Sequence, residues 1–205
     1  MASPPLLTQG LVAGRGSRPI ARLPDLVAEA GQSVLVTGPS GSGKSTILFT
    51  LAGLLPPVAG AFQVEGRDPT PGDAALIFQD LHLLPALSVL ENVLLGPFAR
   101  GQRQDRGQAL TLLADVGLAA LSGRRAETLS RGEAQRASIA RALLLQPKVL
   151  LADEPTASLD DEATERALDA LLAAAGRCGS ALVIASHDSR VRGRVDRVVQ
   201  LAEAA

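Results

Sequence analysis

Short runs that are apolar at nearly every position recur along the chain, at Val34–Thr37, Ala75–Phe78, Val149–Ala152 and Leu182–Ala185. A run without alternation fits a strand covered on both faces, as the strands of a parallel sheet are. Between the runs the apolar spacing changes to three and four. Ile47, Leu48, Leu51 and Leu55 share one helical face, and Gly53 supplies a stop. Asp160 can cap a helix running to about Ala175, with Leu168, Leu171 and Leu172 inward and Gly176 closing it. Strand and helix in alternation predict an α/β fold, a mainly parallel sheet with helices on both faces.

Residues 80 to about 140 break this rhythm. Ser88 and Glu91 form a capping box that opens a helix with Val89, Leu90, Val93 and Leu94 on one side, ended by Gly96-Pro97. A second helix is expected from about Arg103 to Val116, with Gly117 as its stop, and Ser130 with Glu133 opens a third. We therefore read a single domain over 1–205: a core of 1–79 and 141–205, and an inserted all-helical subdomain at 80–140. Residues 1–10 are expected to be loosely held, and Ala202–Ala205 to form a frayed tail.

Composition narrows the class. With 205 residues and 46% hydrophobic content, one domain can build a full core. A net charge of −1 is not the footprint of a nucleic-acid binder, and no nucleic-acid partner is expected. Cys178 is the only cysteine, which rules out an internal disulfide and points to a reducing compartment, with the thiol expected to be buried beside a helix end. Neither a signal peptide nor a membrane span is expected, since no run of 18 apolar residues occurs.

The chemistry is concentrated in two stretches. Gly38-Pro39-Ser40-Gly41-Ser42-Gly43-Lys44-Ser45-Thr46 follows the first apolar run and opens a helical pattern. Glycines let several backbone N–H groups wrap an anion, Lys44 reaches the β/γ-phosphates, and the Ser45 hydroxyl is placed for Mg²⁺. This is a phosphate-binding loop, and it makes the fold a P-loop NTPase. Its lysine is one of only two in the chain, Lys44 and Lys148. The second stretch, Val149–Glu154 followed by Pro155, ends a core strand in two acids at the sheet edge where α/β proteins bind ligands. Asp153 would join the Mg²⁺ shell, with Glu154 one residue nearer the attacking water. Leu129–Arg136 reads both as a capped helix start and as an anion site, and spacing alone does not choose between them.

With these residues in place, the chain resembles the nucleotide-binding subunits of ATP-binding-cassette (ABC) transporters over nearly all 205 residues and in the family's order. Besides the phosphate loop, the Q-loop glutamine matches Gln79, the signature motif Leu129–Glu133, Walker B Val149–Glu154, the D-loop Ser158–Asp160 and the switch histidine His187. His82–Asn92 and Glu133 in place of the signature glutamine are similar to the lipoprotein-releasing and macrolide-exporter type.

The resemblance implies an ATP- and Mg²⁺-dependent ATPase, acting with a second copy of itself or a homologous subunit in a head-to-tail dimer. Each ATP would lie between one phosphate loop and the partner's Ser130, Gly132 and Glu133. Glu154 and His187 would be catalytic, while Ser45, Gln79 and Asp153 would serve the metal. Asp160 would stand in the D-loop. A multi-span membrane subunit would contact the region of Gln79 and Asp80–Pro97, which places the chain in the cytoplasm on the inner face of the membrane. Two residues depart from the family pattern. Arg131 stands at the first signature glycine, either adding charge stabilisation or pointing to solvent, and the solvent-facing reading is preferred. The adenine-stacking aromatic is missing, because no Tyr or Trp exists and no Phe precedes Phe49, so the base is expected to rest on an aliphatic or guanidinium surface, with Arg15 or Arg18 the candidates. A GTPase would need an Asn-Lys-x-Asp reader, a P-loop kinase would leave Ser130 and His187 unexplained, and a soluble ABC ATPase usually carries coiled-coil inserts or a second cassette.

Overall fold

The computed structural model describes residues 3–203. Two five-stranded sheets share the core. The first is antiparallel and comprises β1 (Leu6–Arg15), β2 (Arg18–Arg22), β3 (Leu26–Ala28), β5 (Ala59–Gln63) and β10 (Ala202–Glu203). The second is parallel throughout, in the order β6-β7-β8-β4-β9, from β4 (Ser33–Thr37), β6 (Ala74–Ile77), β7 (Val149–Asp153), β8 (Ala181–Ala185) and β9 (Arg197–Gln200). The helices are α1 (Lys44–Leu51), α2 (Val89–Ala99), α3 (Arg106–Asp115), α4 (Arg131–Leu143), α5 (Asp161–Cys178) and the short α6 (Ser189–Arg192).

The unbroken apolar runs are explained by what covers each face. Val34, Val36, Val149, Leu151, Val183 and Ala185 point toward the antiparallel sheet, where they meet Leu6, Leu11, Leu23 and Leu26, with Ile47, Leu48 and Leu51 of α1 packed in the same cluster. Leu35, Leu150, Ala152, Leu182 and Ile184 point the other way, onto the cluster formed with residues of α2 to α5. Each strand therefore still obeys the period of two, with an apolar partner on both sides.

Several boundaries differ from the sequence reading. Residues 6–10 are not loosely held: Leu6 and Thr8 are fully buried, and β1 pairs with β2, β3 and β5. The β1–β5 pairing is bulged, and Gly60 sits at φ 72° where an added Cβ would lie 2.2 Å from the Gly10 carbonyl oxygen, so only glycine allows this approach. The expected tail is also corrected, since Ala202 and Glu203 pair with Arg22 and Ala21; Ala204 and Ala205 lie outside the described residues.

Helix ends shift for local reasons. α2 continues past Gly96 to Ala99 with Pro97 in its last turn, where the missing N–H forgoes only the one bond to the carbonyl four residues back. α3 begins at Arg106 because the Asp105 side chain accepts the Gln108 N–H at 2.8 Å. α5 runs through Gly176 and stops at Gly179, the glycine that takes the left-handed conformation. Cys178, in its last turn, is exposed and not buried as expected. Among the described residues no helix is long and apolar enough to cross a membrane.

Candidate functional site

β4 delivers the chain into the loop 38–43, and α1 leaves it at Lys44. Gly43 is the N-cap at φ 91°, and an added Cβ there would stand 2.6 Å from Ala21 Cβ. The β1–β2 hairpin thus presses directly on the phosphate loop. Lys44 is buried, and its Nζ donates to the carbonyls of Gly38 (2.9 Å) and Pro39 (3.1 Å), closing the loop on itself. A cavity of about 740 Å³ opens over the loop. Ser40, Gly41, Lys44, Ser45 and Thr46 form its floor, with Gln79 and Glu154 also in its wall. Arg15, Arg18, Pro19 and Ile20 line it as well, so the hairpin supplies the residues beyond the loop where the missing aromatic was noted.

The two acids take different environments. Asp153 ends β7, is 5% exposed, and has a buried Oδ1 with no hydrogen-bond partner. Burial pushes its carboxyl above the usual range, while the Ser45 hydroxyl and the Lys44 charge pull it back. An acceptor oxygen left without a donor beside Ser45 suits a hard divalent cation, so the residues present fit Mg²⁺. Among the described residues no group of three or more His, Cys, Asp or Glu side chains is placed to hold a metal ion.

Glu154 follows with φ at 45°, a left-handed conformation that costs a non-glycine residue of order 1 kcal/mol or more. The turn is held because the Glu154 N–H donates to the Ala185 carbonyl at 2.8 Å. Its carboxylate then lies across the end of β8: Oε2 accepts from the Ser186 hydroxyl at 2.9 Å, and Oε1 stands 2.8 Å from Nδ1 of His187. Glu154 is mostly covered while His187 is 75% exposed, so the imidazole's far edge is open to a ligand. A donating Nδ1–H leaves Nε2 as that far edge.

Behind His187, the Thr156 hydroxyl donates to Asp188, and Arg190 pairs with the same carboxylate at 2.7 Å. Arg190 first of all, with the Thr156 hydroxyl adding to it, lowers the Asp188 carboxyl to about 2. Ser186, Thr156 and Asp188 were missed as support for the site. The only sequence signal for them was their position beside His187 and after Glu154.

Ser130, Gly132 and Glu133 open α4, and none of them lines the cavity over the phosphate loop. The capping box is complete, with the Ser130 N–H donating to Glu133 at 2.8 Å, and that bond holds the Glu133 carboxyl below its ordinary value. Gly132 is buried against Ala163 of α5. Asp160 caps α5 by accepting the Ala163 N–H at 2.7 Å. Arg131 is exposed, yet it does not simply point to solvent: its guanidinium donates to the Gln79 carbonyl at 2.8 Å. One chain therefore brings together the phosphate loop, Gln79, Asp153, Glu154 and His187, and leaves the α4 turn facing elsewhere.

Comparison with known proteins identifies the family. The family model described as "ABC transporter" matches residues 24–157. The lipoprotein-releasing system ATP-binding protein LolD of Anaeromyxobacter dehalogenans is 39% identical over 94% of this chain and 86% of its own length. A macrolide export ATP-binding/permease protein, MacB of Rhodopseudomonas palustris, is 41% identical over 87% of this chain, which spans only 29% of that protein. Among solved structures, the dimeric ATP-binding cassette MJ0796 bound to ADP and Pi superposes with a TM-score of 0.79 and 29% identity, covering 96% of this chain and 94% of that one.

Proposed function

The chain belongs to the ABC transporter family, and on that premise we propose how it works as the ATP-hydrolysing, nucleotide-binding subunit of a transporter. ATP lies along the cavity with its phosphates over Gly38–Thr46 and its base toward Arg15 and Arg18. Lys44 exchanges the Gly38 and Pro39 carbonyls for the β- and γ-phosphates, trading two neutral acceptors for charged ones. Ser45, Asp153 and Gln79 would hold Mg²⁺, which when bound neutralises phosphate charge and fixes phosphate geometry. Glu154 orients the water and takes its proton as the γ-phosphate bond to the bridging oxygen breaks, giving ADP and phosphate. His187 steadies the Glu154 carboxylate through Nδ1 and turns its free edge toward the γ-phosphate.

Because the α4 turn is absent from this chain's own cavity, a second copy or a homologous subunit supplies it head to tail. Ser130 and Gly132 then meet the partner's γ-phosphate, Glu133 keeps the turn capped, and Asp160 holds the D-loop at the junction. Residues 80–140 act as the helical subdomain of a single ATPase domain over 1–205. The membrane subunit docks near Gln79 and Asp80–Pro97, where Leu84 is 48% exposed and the adjoining Phe98 66%, with the chain on the cytoplasmic face of the membrane. The names carried by the relatives support a transporter of the lipoprotein-releasing and macrolide-exporter type.

The observation that carries the reading is Glu154, strained at the end of β7, bonded to His187 and facing the same cavity as Lys44 and Gln79. Glu154→Gln keeps the shape and removes the base. Phosphate release should fall by roughly 10²–10⁴ while ATP binding persists. Turnover near the wild-type rate would move the catalytic role away from Glu154.

A further inference from the structure

Strand β6 ends at Ile77, and the stretch from Phe78 to Leu84 forms no ladder or helix of its own. Its backbone is held instead by side chains of two helices. Arg131 donates to the Gln79 carbonyl (2.8 Å), Arg141 to those of Leu81 (2.5 Å) and His82 (2.7 Å), and the buried Asn92 exchanges two hydrogen bonds with the backbone of Leu84. Arg141 is half-buried and belongs to the packing between α4 and this loop. Arg131 is different, because it is exposed and sits in the first turn of α4. A cation there opposes the helix macrodipole, so nothing in the helix itself favours it. What it gains is the carbonyl 52 positions back along the chain.

We propose that Arg131 is a positioning residue for Gln79, tying the turn that meets the partner's nucleotide to the residue that senses this chain's own. The proposal rests on the head-to-tail reading given above. Gln79 lines the cavity over the phosphate loop, and its side chain extends from the same backbone unit whose carbonyl Arg131 holds. A shift of the α4 turn on meeting a second nucleotide would pull that unit directly, with no intervening residue. Arg131 acts here through the peptide and touches neither substrate nor metal.

The bond is to backbone, so Gln79→Ala leaves the acceptor in place and removes only the group being positioned. That makes a double-mutant cycle decisive. Steady-state ATP turnover is measured for wild type, Arg131→Ala, Gln79→Ala and the double variant, with Arg131→Lys as a variant that retains a donor. Arg131→Ala should lower kcat about tenfold, ~1.4 kcal/mol of barrier, and should lower it less than about twofold further in the Gln79→Ala background. Arg131→Lys should recover part of the loss, because an ammonium still reaches a carbonyl but lacks the planar fork. Equal fold losses in both backgrounds would overturn the proposal and make Arg131 a direct phosphate ligand or an independent structural residue. No loss on Arg131→Ala would overturn it as well. If Gln79→Ala alone leaves turnover unchanged, the assignment of Gln79 as a nucleotide sensor falls, and the proposal with it.

Discussion

Removing the two guanidinium groups beyond the phosphate loop tests how this chain holds a base without an aromatic ring. Arg15 and Arg18 are exposed, line the cavity, and among the described residues form no ion pair, so both are available to a ligand. An exposed cation over a π-face contributes about 0.5–1 kcal/mol, against roughly 1–3 kcal/mol for stacking on an aromatic side chain. Two such contacts amount to about 1–2 kcal/mol, so Arg15→Ala with Arg18→Ala should weaken ATP binding about 5- to 30-fold. Every base presents a π-face, and a guanidinium reads none of the hydrogen-bonding edges that separate adenine from guanine. ATP and GTP should therefore bind within about tenfold of each other. The assay is calorimetric titration on the Glu154→Gln background, where hydrolysis does not deplete the ligand. A preference above a hundredfold would refute the reasoning, because it requires edge recognition. Unchanged affinity in the double variant would refute the guanidinium version and leave Pro19 and Ile20 as the contact surface.

The exposed face near the Q-loop gives a second test: Leu84→Asp with Leu87→Asp should weaken binding of the membrane subunit while leaving ATP affinity nearly intact, as co-purification and titration on one preparation would show. Equal loss of both would mean that these leucines belong to the core. A third test concerns pH. The folded Asp188 carboxyl lies at about 2, below its ordinary 3.8, so its stabilisation is complete above the unfolded value and is lost as pH falls from about 4 through about 2. Thermal midpoints followed over that range should drop more steeply for wild type than for Asp188→Asn. Parallel slopes would exclude Asp188 as a source of acid sensitivity.

Four strands of the parallel sheet were legible because β4, β6, β7 and β8 are mainly apolar, and each of them falls within a residue of its expected boundaries at either end, whereas the edge strand β9, with one buried residue in Arg-Val-Val-Gln, was missed. The antiparallel sheet was not legible. β1 carries Gly10 and Gly14 and a bulged register, Thr8 is a buried polar residue satisfied only by distant Leu26 and Pro24, and β5 is Ala-Gly-Ala before its first buried side chain. None of that reads as a strand locally, since tertiary pairing overrides local preference. The phosphate loop and Walker B acids were legible because glycine, lysine and carboxylate are demanded at fixed local positions. The partner of Arg131 was not, because its bond is made to a backbone atom that no residue type announces. His187 and Glu154 were both picked out, but their contact spans 33 positions and follows from the left-handed turn at Glu154.

In the mechanism proposed above, two copies of this chain close head to tail on ATP, each completing the other's site. The direct measurement is the mass of Glu154→Gln by light scattering, with and without Mg·ATP, together with the ATP retained per chain. A shift is expected from a 21.1 kDa chain to a species of twice that mass, holding one ATP per chain and formed only with nucleotide. A variant that binds Mg·ATP, does not hydrolyse it and remains at 21.1 kDa would rule out the nucleotide-sandwich dimer.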